Sequence, residues 1–200
     1  MFGLLRNRKG FTLIELVIIL GVLAVLAAIL VPLVTRYISE SRVTAAKADC
    51  KSIATAVTDY SKDIGKLPGW DWDDHNYAIQ VFLTGEGASL PDYDDDDWEG
   101  LSTKDLYKYL QTSSGLSEDN APSRILSKWN GPYLRVSDSY DPWGNPYILV
   151  VVTDSNGKKV SRVVVLSAGS DSTIDSEISL SGDFITSISI SRNDVAFEIK

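Results

Sequence analysis

Glu15 heads a run of nineteen uncharged residues, Leu16 to Val34, broken only by Gly21 and Pro32. An ionised carboxylate beside so much apolar surface costs at least a few kcal/mol in lipid unless it finds a partner, so it marks a function. The natural partner is a free amino group, and cleavage between Gly10 and Phe11 would create one. The other candidate chemistry lies in two acidic stretches. Asp94-Asp95-Asp96-Asp97 sits among Trp70, Trp72, Tyr93 and Trp98, and Asp171, Asp175 and Asp183 fall in a serine-rich segment near the end. Clustered carboxylates suit hard cations. The first stretch reads either as a cation- or partner-binding loop or as a solvated acidic loop pinned by its aromatics. The lack of EF-hand spacing favours the second. One histidine, His75, and one cysteine, Cys50, supply no nucleophile–base–orienter set, and no phosphate-cradling glycine loop is present. Enzymatic chemistry is not expected.

The apolar run would be roughly 28 Å long as a helix, close to the hydrocarbon thickness of a bilayer. Three cations, Arg6, Arg8 and Lys9, precede it with no acid among them. They place the N-terminus in the cytoplasm and the C-terminus outside. The candidate cut precedes the apolar core, so the hydrophobic segment stays in the product, unlike a secretory signal peptide. The formal charge is −8, and without those three cations the remainder carries −11. Such acidity excludes a basic nucleic-acid footprint. A single cysteine excludes an intrachain disulfide.

The basic leader, Gly10, Phe11-Thr12-Leu13-Ile14-Glu15 and the apolar run resemble the class III signal and N-terminal helix of type IV pilins and pseudopilins, over roughly Arg6 to Val34. The resemblance implies cleavage after Gly10 by a prepilin peptidase and N-methylation of Phe11. It also implies a homopolymer stacked through N-terminal helices, with Glu15 paired to the Phe11 ammonium of a neighbour. Gly21 and Pro32 would mark the part of the helix that loses regular hydrogen bonds in the filament, although a simple kink is an equal reading.

Beyond Thr35 the pattern turns amphipathic. Val43, Ala46, Cys50, Ile53, Val57, Tyr60 and Ile64 alternate in steps of three and four, one stripe facing a core. Gly65 and Pro68-Gly69 then stop the helix. One helix from Phe11 to Ile64 would span roughly 80 Å. Ser102 to Leu110 reads as a short helix capped by Ser102 or Thr103. Ser113 to Ser123, with Gly115 and Pro122, reads as a loop. Ile148–Thr153 and Val160–Leu166 flank Asp154-Ser155-Asn156-Gly157 as a hairpin. Phe184–Ile190 and the alternating Val195, Phe197 and Ile199 add strands. The fold class expected is α+β, a long helix whose amphipathic half packs on a small antiparallel sheet. Its segments are a leader at 1–10, a membrane or filament-core half at 11–34, an amphipathic half at 35–64, an acidic–aromatic insertion at 65–128 and a sheet at 129–200.

Two turn-rich stretches precede that sheet: Trp129-Asn130-Gly131-Pro132-Tyr133-Leu134 and Asp141-Pro142-Trp143-Gly144-Asn145-Pro146-Tyr147. Proline fixes φ, Gly144 relieves it, and Asp141 and Asn145 can bond nearby amides. Together they are similar to the signature of the major pseudopilin of the type II secretion system. That resemblance implies a secretion pseudopilus subunit working with an inner-membrane assembly platform and minor pseudopilins, its C-terminal domain periplasmic. A surface type IV pilin, serving adhesion or motility, is the alternative. The resemblance also implies a calcium loop. Ser167, Gly169 and Asp171 match its Ser-x-Gly-x-Asp pattern, and Asp183 takes the place of its closing Asp. Asp171, Asp175 and Asp183, with carbonyls at Leu166 and Ser167, form the expected ligand set. Ser172 and Asp175-Ser176 depart from the glycines of that pattern.

Overall fold

The computed structural model describes residues 10–77, 80–94, 96–134, 140–191 and 193–199. Arg6, Arg8, Lys9 and Asp95 lie outside these. The chain divides into two units, 1–41 and 42–200, through both of which one helix, α1 (Leu13–Ile64), runs.

In the first unit every described residue is exposed. This is the one described helix long and apolar enough to cross a membrane, and it is the chain's membrane anchor. Thr12 and Glu15 start it as a reciprocal capping box. The Thr12 amide donates to Glu15 Oε2 at 3.3 Å, and the Glu15 amide donates to Thr12 Oγ1 at 3.3 Å. The helix continues through Gly21 and Pro32. Proline offers no N–H to the Ala28 carbonyl of the preceding turn; one turn further on, the Thr35 hydroxyl donates to the Val31 and Pro32 carbonyls, at 3.1 and 3.0 Å.

In the second unit the expected stripe is the buried face of α1: Ala46, Cys50, Ile53, Val57, Tyr60 and Ile64 are buried, with Val43 packed against them. Gly65, at φ 83°, ends the helix as the stop signal requires. The short strands β1 (Trp70–Asp71) and β2 (Asn76–Tyr77) pair as a small hairpin, followed by β3 (Val81–Leu83), β4 (Asp92–Tyr93) and a 3-10 turn at Asp96–Trp98. Next come β5 (Thr103–Asp105) and three short helices, α2 (Tyr107–Leu110), α3 (Ser114–Glu118) and α4 (Ser123–Leu126). The strands β6 (Ile148–Thr153), β7 (Val160–Ser167), β8 (Thr173–Ile174), β9 (Glu177–Ser181), β10 (Phe184–Ser189) and β11 (Val195–Ile199) complete the unit.

The main sheet has the order β11-β7-β6-β3-β5. It is antiparallel except for the parallel β3–β5 pair. Its two faces bury separate cores. Phe82, Leu149, Val151, Val163, Val165 and Val195 face the α1 stripe. Val81, Leu83, Val150, Val164 and Leu166 face Trp98 and the isoleucines of the β9–β10 hairpin.

Four expectations need correction. The acidic–aromatic stretch ahead of Thr103, expected as a loop, donates β3, buried on both faces, beside β6. Trp98 is fully buried and its indole N–H donates to the Ser176 carbonyl at 2.7 Å. Residues 103–105 form a strand rather than the first turn of a helix, because β3 offers them a partner and neither Ser102 nor Thr103 caps α2. The loop expected at 113–123 contains α3, whose Gly115 lies so close to the Tyr109 ring that a Cβ would stand 2.8 Å from it. Finally, β10 pairs with β9 and not with the main sheet. Gln80 staples this hairpin down, accepting from the Ile185 amide at 2.6 Å and donating to the Val151 carbonyl at 2.7 Å.

Two outcomes follow from this packing. Trp98→Ala is expected to cost about 3–5 kcal/mol in urea unfolding of the detergent-solubilised protein, the usual loss for a buried aromatic; a solvated loop would show almost none. Burial, with Asp49 and Asp141 nearby, pushes the Cys50 thiol up to about 12. The neutral thiol is therefore favoured in the fold, and its contribution is complete below pH ~9 and lost as pH rises towards 12. Thiol reagents at pH 8 should leave Cys50 unmodified until the protein unfolds.

Candidate functional site

Two regions hold the residues singled out by sequence. At the head of α1, the Glu15 carboxylate is exposed, and its described partners are the Thr12 amide and hydroxyl, the latter at 3.2 Å. Gly10 and Phe11 precede the helix in exposed chain without regular secondary structure. A scissile bond needs such accessible backbone. The arrangement shows the carboxylate satisfied locally in a single subunit.

The second region is built on the two turn-rich stretches, which bolt the end of the sheet to α1. The Tyr133 hydroxyl donates to Asp63 Oδ2 and the Tyr147 hydroxyl to Asp49 Oδ2, each at 2.8 Å. Asp49 and Asp63 are fourteen residues apart, close to four helical turns, so they lie along one side of α1. Burial first, then the carboxylate partner, raises both phenols above their ordinary range. The neutral donor form is thereby secured. Further bonds fix the rings' backbones: the Tyr133 amide donates to the Leu110 carbonyl at 2.7 Å, and the Tyr147 amide to Thr84 Oγ1 at 2.8 Å.

Between the tyrosines, Asp141 organises the turn. It is 5% exposed, and its Oδ1 accepts the amides of Trp143 and Asn145 at 3.0 and 2.8 Å. Gly144 adopts φ 97°, which a side chain would resist. The other oxygen, Oδ2, accepts the Ser167 hydroxyl at 2.7 Å, and Ser167 Oγ in turn accepts the Gly169 amide at 3.2 Å. Asn145 Nδ2 donates to Ser172 Oγ at 2.9 Å. Thus the Asp-Pro-Trp-Gly-Asn-Pro-Tyr turn holds the 167–172 loop by both of its polar side chains.

The expected ligand set is not brought together as a unit. Leu166 lies inside β7, paired to Ile148 on one side and Ala196 on the other, so its carbonyl belongs to a ladder. Ser167 is occupied with Asp141. Asp171 is exposed and accepts the Thr173 amide at 3.3 Å. Asp175 accepts Asn193 Nδ2 at 2.6 Å and lines an open cleft with Asp94, Asp96 and Glu177. Asp183 is exposed at the β9–β10 turn and lines a different cleft, with Gln80 and Glu99. Among the described residues no group of three or more His, Cys, Asp or Glu is placed to hold a metal. Asp183, at the β9–β10 turn, is thus not brought into the cleft that Asp175 lines.

Sequence reasoning missed Asp194. It lies just before β11, is 7% exposed, and shares a hydrogen bond with the Ser176 hydroxyl. The only available signal was its place ahead of the alternating Val195, Phe197 and Ile199.

Comparison with known proteins matches residues 5–31 to the prokaryotic N-terminal methylation motif and residues 102–179 to the type II secretion system protein G family. The type II secretion system core protein G of Pseudomonas aeruginosa is 43% identical over 58 residues, 29% of this chain and 41% of that protein. A fimbrial protein of Pseudomonas aeruginosa is 28% identical over 147 residues, 69% of this chain and 94% of that protein. The type IV major alpha-pilin of Moraxella bovis is 43% identical over 85 residues, 42% of this chain and 53% of that protein. No solved structure matches significantly. With the methylation motif leading into α1 and the protein G match spanning the turn that bolts sheet to helix, the chain has a pilin-like architecture and is similar to the type II secretion system protein G.

Proposed function

We propose that this chain is a non-enzymatic subunit of a type II secretion pseudopilus. The observation that carries the reading is the coincidence of the protein G match at 102–179 with the Tyr133, Asp141 and Tyr147 clamp. The precursor enters the inner membrane through α1, its second unit in the periplasm. A prepilin peptidase cuts after Gly10, Phe11 is N-methylated, and the assembly platform adds the subunit to a growing filament that minor pseudopilins complete. The bare apolar surface of residues 13–34 supports this, since lipid and neighbouring helices are its two natural covers.

In the filament Glu15 exchanges its capping contacts for the Phe11 ammonium of a neighbour. A charge pair in apolar surroundings specifies register even where it adds little net stability. Gly21 and Pro32 are the places where α1 gives way if it extends on assembly.

One observation favours a second reading. The similarity to the Pseudomonas aeruginosa fimbrial protein runs over 94% of that protein's length, which suits a surface type IV pilin. A deletion strain separates the two. Loss of extracellular enzymes with surface fibres intact supports the secretion pseudopilus, whereas loss of fibres with secretion intact supports the pilin.

The capping box gives a sharper test of Glu15. Glutamine also completes a capping box but carries no charge. Glu15→Ala and Glu15→Gln should both insert in the membrane normally and both fail to form filaments, scored by membrane extraction and electron microscopy of sheared fibres. Wild-type filament numbers from the Gln variant would reduce Glu15 to a helix cap.

A further inference from the structure

Within the second unit, α1 keeps an exposed face beside its buried stripe. Lys47 and Lys51 stand on that face one turn apart, both exposed, and no ion pair among the described residues reaches either. The face continues at helical spacing through Thr55, Thr58 and Lys62 into a cleft between α1 and β11, whose apolar lining is Ala54, Ala196, Phe197 and Ile199. Phe197 is 36% exposed, open for so large an apolar side chain. The two acids of the cleft are already taken, Asp59 by Lys62 at 2.8 Å and Glu198 by Arg162 at 3.0 Å. The charge of Lys47 and Lys51 is therefore left uncompensated beside an open apolar surface.

The opposite charge lies across the sheet. Between Leu67 and Thr103 the chain has ten acids and no Lys or Arg. Asp92, Tyr93, Asp94 and Asp96 are exposed there, and no ion pair among the described residues reaches these three carboxylates. The β4–β8 pair and Trp98 hold this edge in place, and Ile174 of β8 and Trp98 belong to the core on the sheet face turned away from α1. The sheet thus stands between the two patches, so a single subunit cannot bring them together.

We infer that the α1–β11 cleft docks the acidic edge 92–96 of a second copy of this chain. The neighbour's Tyr93 enters beside Phe197, and its aspartates face Lys47 and Lys51. An aromatic anchor in an apolar cleft supplies the energy of such a contact, while the surrounding charges set its orientation and exclude like-charged approaches. Each copy carries one patch of each kind, so the contact runs head to tail and propagates instead of closing a pair. The acidic–aromatic stretch thereby acquires a task, which is to fix how the second units of neighbouring copies meet. The inference rests on the filament reading for its setting and adds to it a contact that the apolar half of α1 does not make.

A carbodiimide joins a lysine to a carboxylate only where the two touch. Applied to sheared filaments, and separately to the full-length protein in detergent micelles, it should link Lys47 or Lys51 to the 92–96 edge. Mass spectrometry of mixed light- and heavy-nitrogen copies shows that the link runs between chains. Reversing the lysines together, Lys47→Glu with Lys51→Glu, should lower both the link and the filament yield about tenfold, and adding Asp92→Lys with Asp94→Lys should restore them. All four side chains are exposed and outside the ion pairs, so the thermal midpoint in detergent should stay unchanged throughout and exclude misfolding as the cause. Filaments that form normally with both lysines reversed, or that hold no such link, overturn the inference and leave the filament reading intact. Links in micelles from a chain that forms no filaments keep the contact and overturn that reading. Absence of the link from both preparations, or links from Lys47 and Lys51 to a different polypeptide, overturns the inference.

Discussion

The structure depends on one helix having to satisfy two solvents. From Leu13 to Val34 α1 presents apolar side chains on every side, and none is covered within the chain. From Val43 onward it presents a single stripe, which packs into one core with the sheet and the residues around Tyr109. The first part is left for lipid or other helices to cover. The capping box keeps the Glu15 carboxylate hydrogen-bonded at the helix start, where the dipole favours an anion.

With a single cysteine, the second unit must hold its C-terminal part without a disulfide. It does so with carboxylates placed as acceptors. Asp49 and Asp63 anchor the two signature tyrosines to α1, Asp119 gathers Tyr109 and Lys104, and Asp141 joins its own turn to Ser167. Each is a charge-assisted bond at a half-buried or buried position, the setting in which such bonds are strongest. An acidic composition that first excludes nucleic acid thus also supplies the internal fasteners.

How legible this was depended on whether the signal was local. The α1 stripe, its stop at Gly65, the hairpin of β6 and β7 and the final strand follow from periodicity and turn chemistry, and all stand where expected. The strand β3 was hidden, although Val81-Phe82-Leu83 is a short continuous apolar run of the kind a buried strand shows. The ten acids between Leu67 and Thr103 mask three apolar residues in the composition of that stretch. The strand at 103–105 was hidden because Lys104 and Asp105 disfavour a strand and outweigh Thr103; β3 supplies the pairing partner. Asp141 and the signature turn were visible as turn chemistry. Their bond to Ser167, twenty-six residues on, was not.

The return of the chain after residue 176 shows the same limit. Asp183 and Asp194 each precede a strand, and sequence order alone does not say which of them comes back to the segment it left. Once β9 is seen to pair with β10, the answer follows, because a hairpin returns the chain to its starting place. The Ser191 amide donates to Ser176 Oγ and Asn193 Nδ2 to Asp175 Oδ2, while Gly182-Asp183 forms the hairpin turn. The isoleucines that face the second core, Ile178, Ile185 and Ile188, hold that hairpin in place.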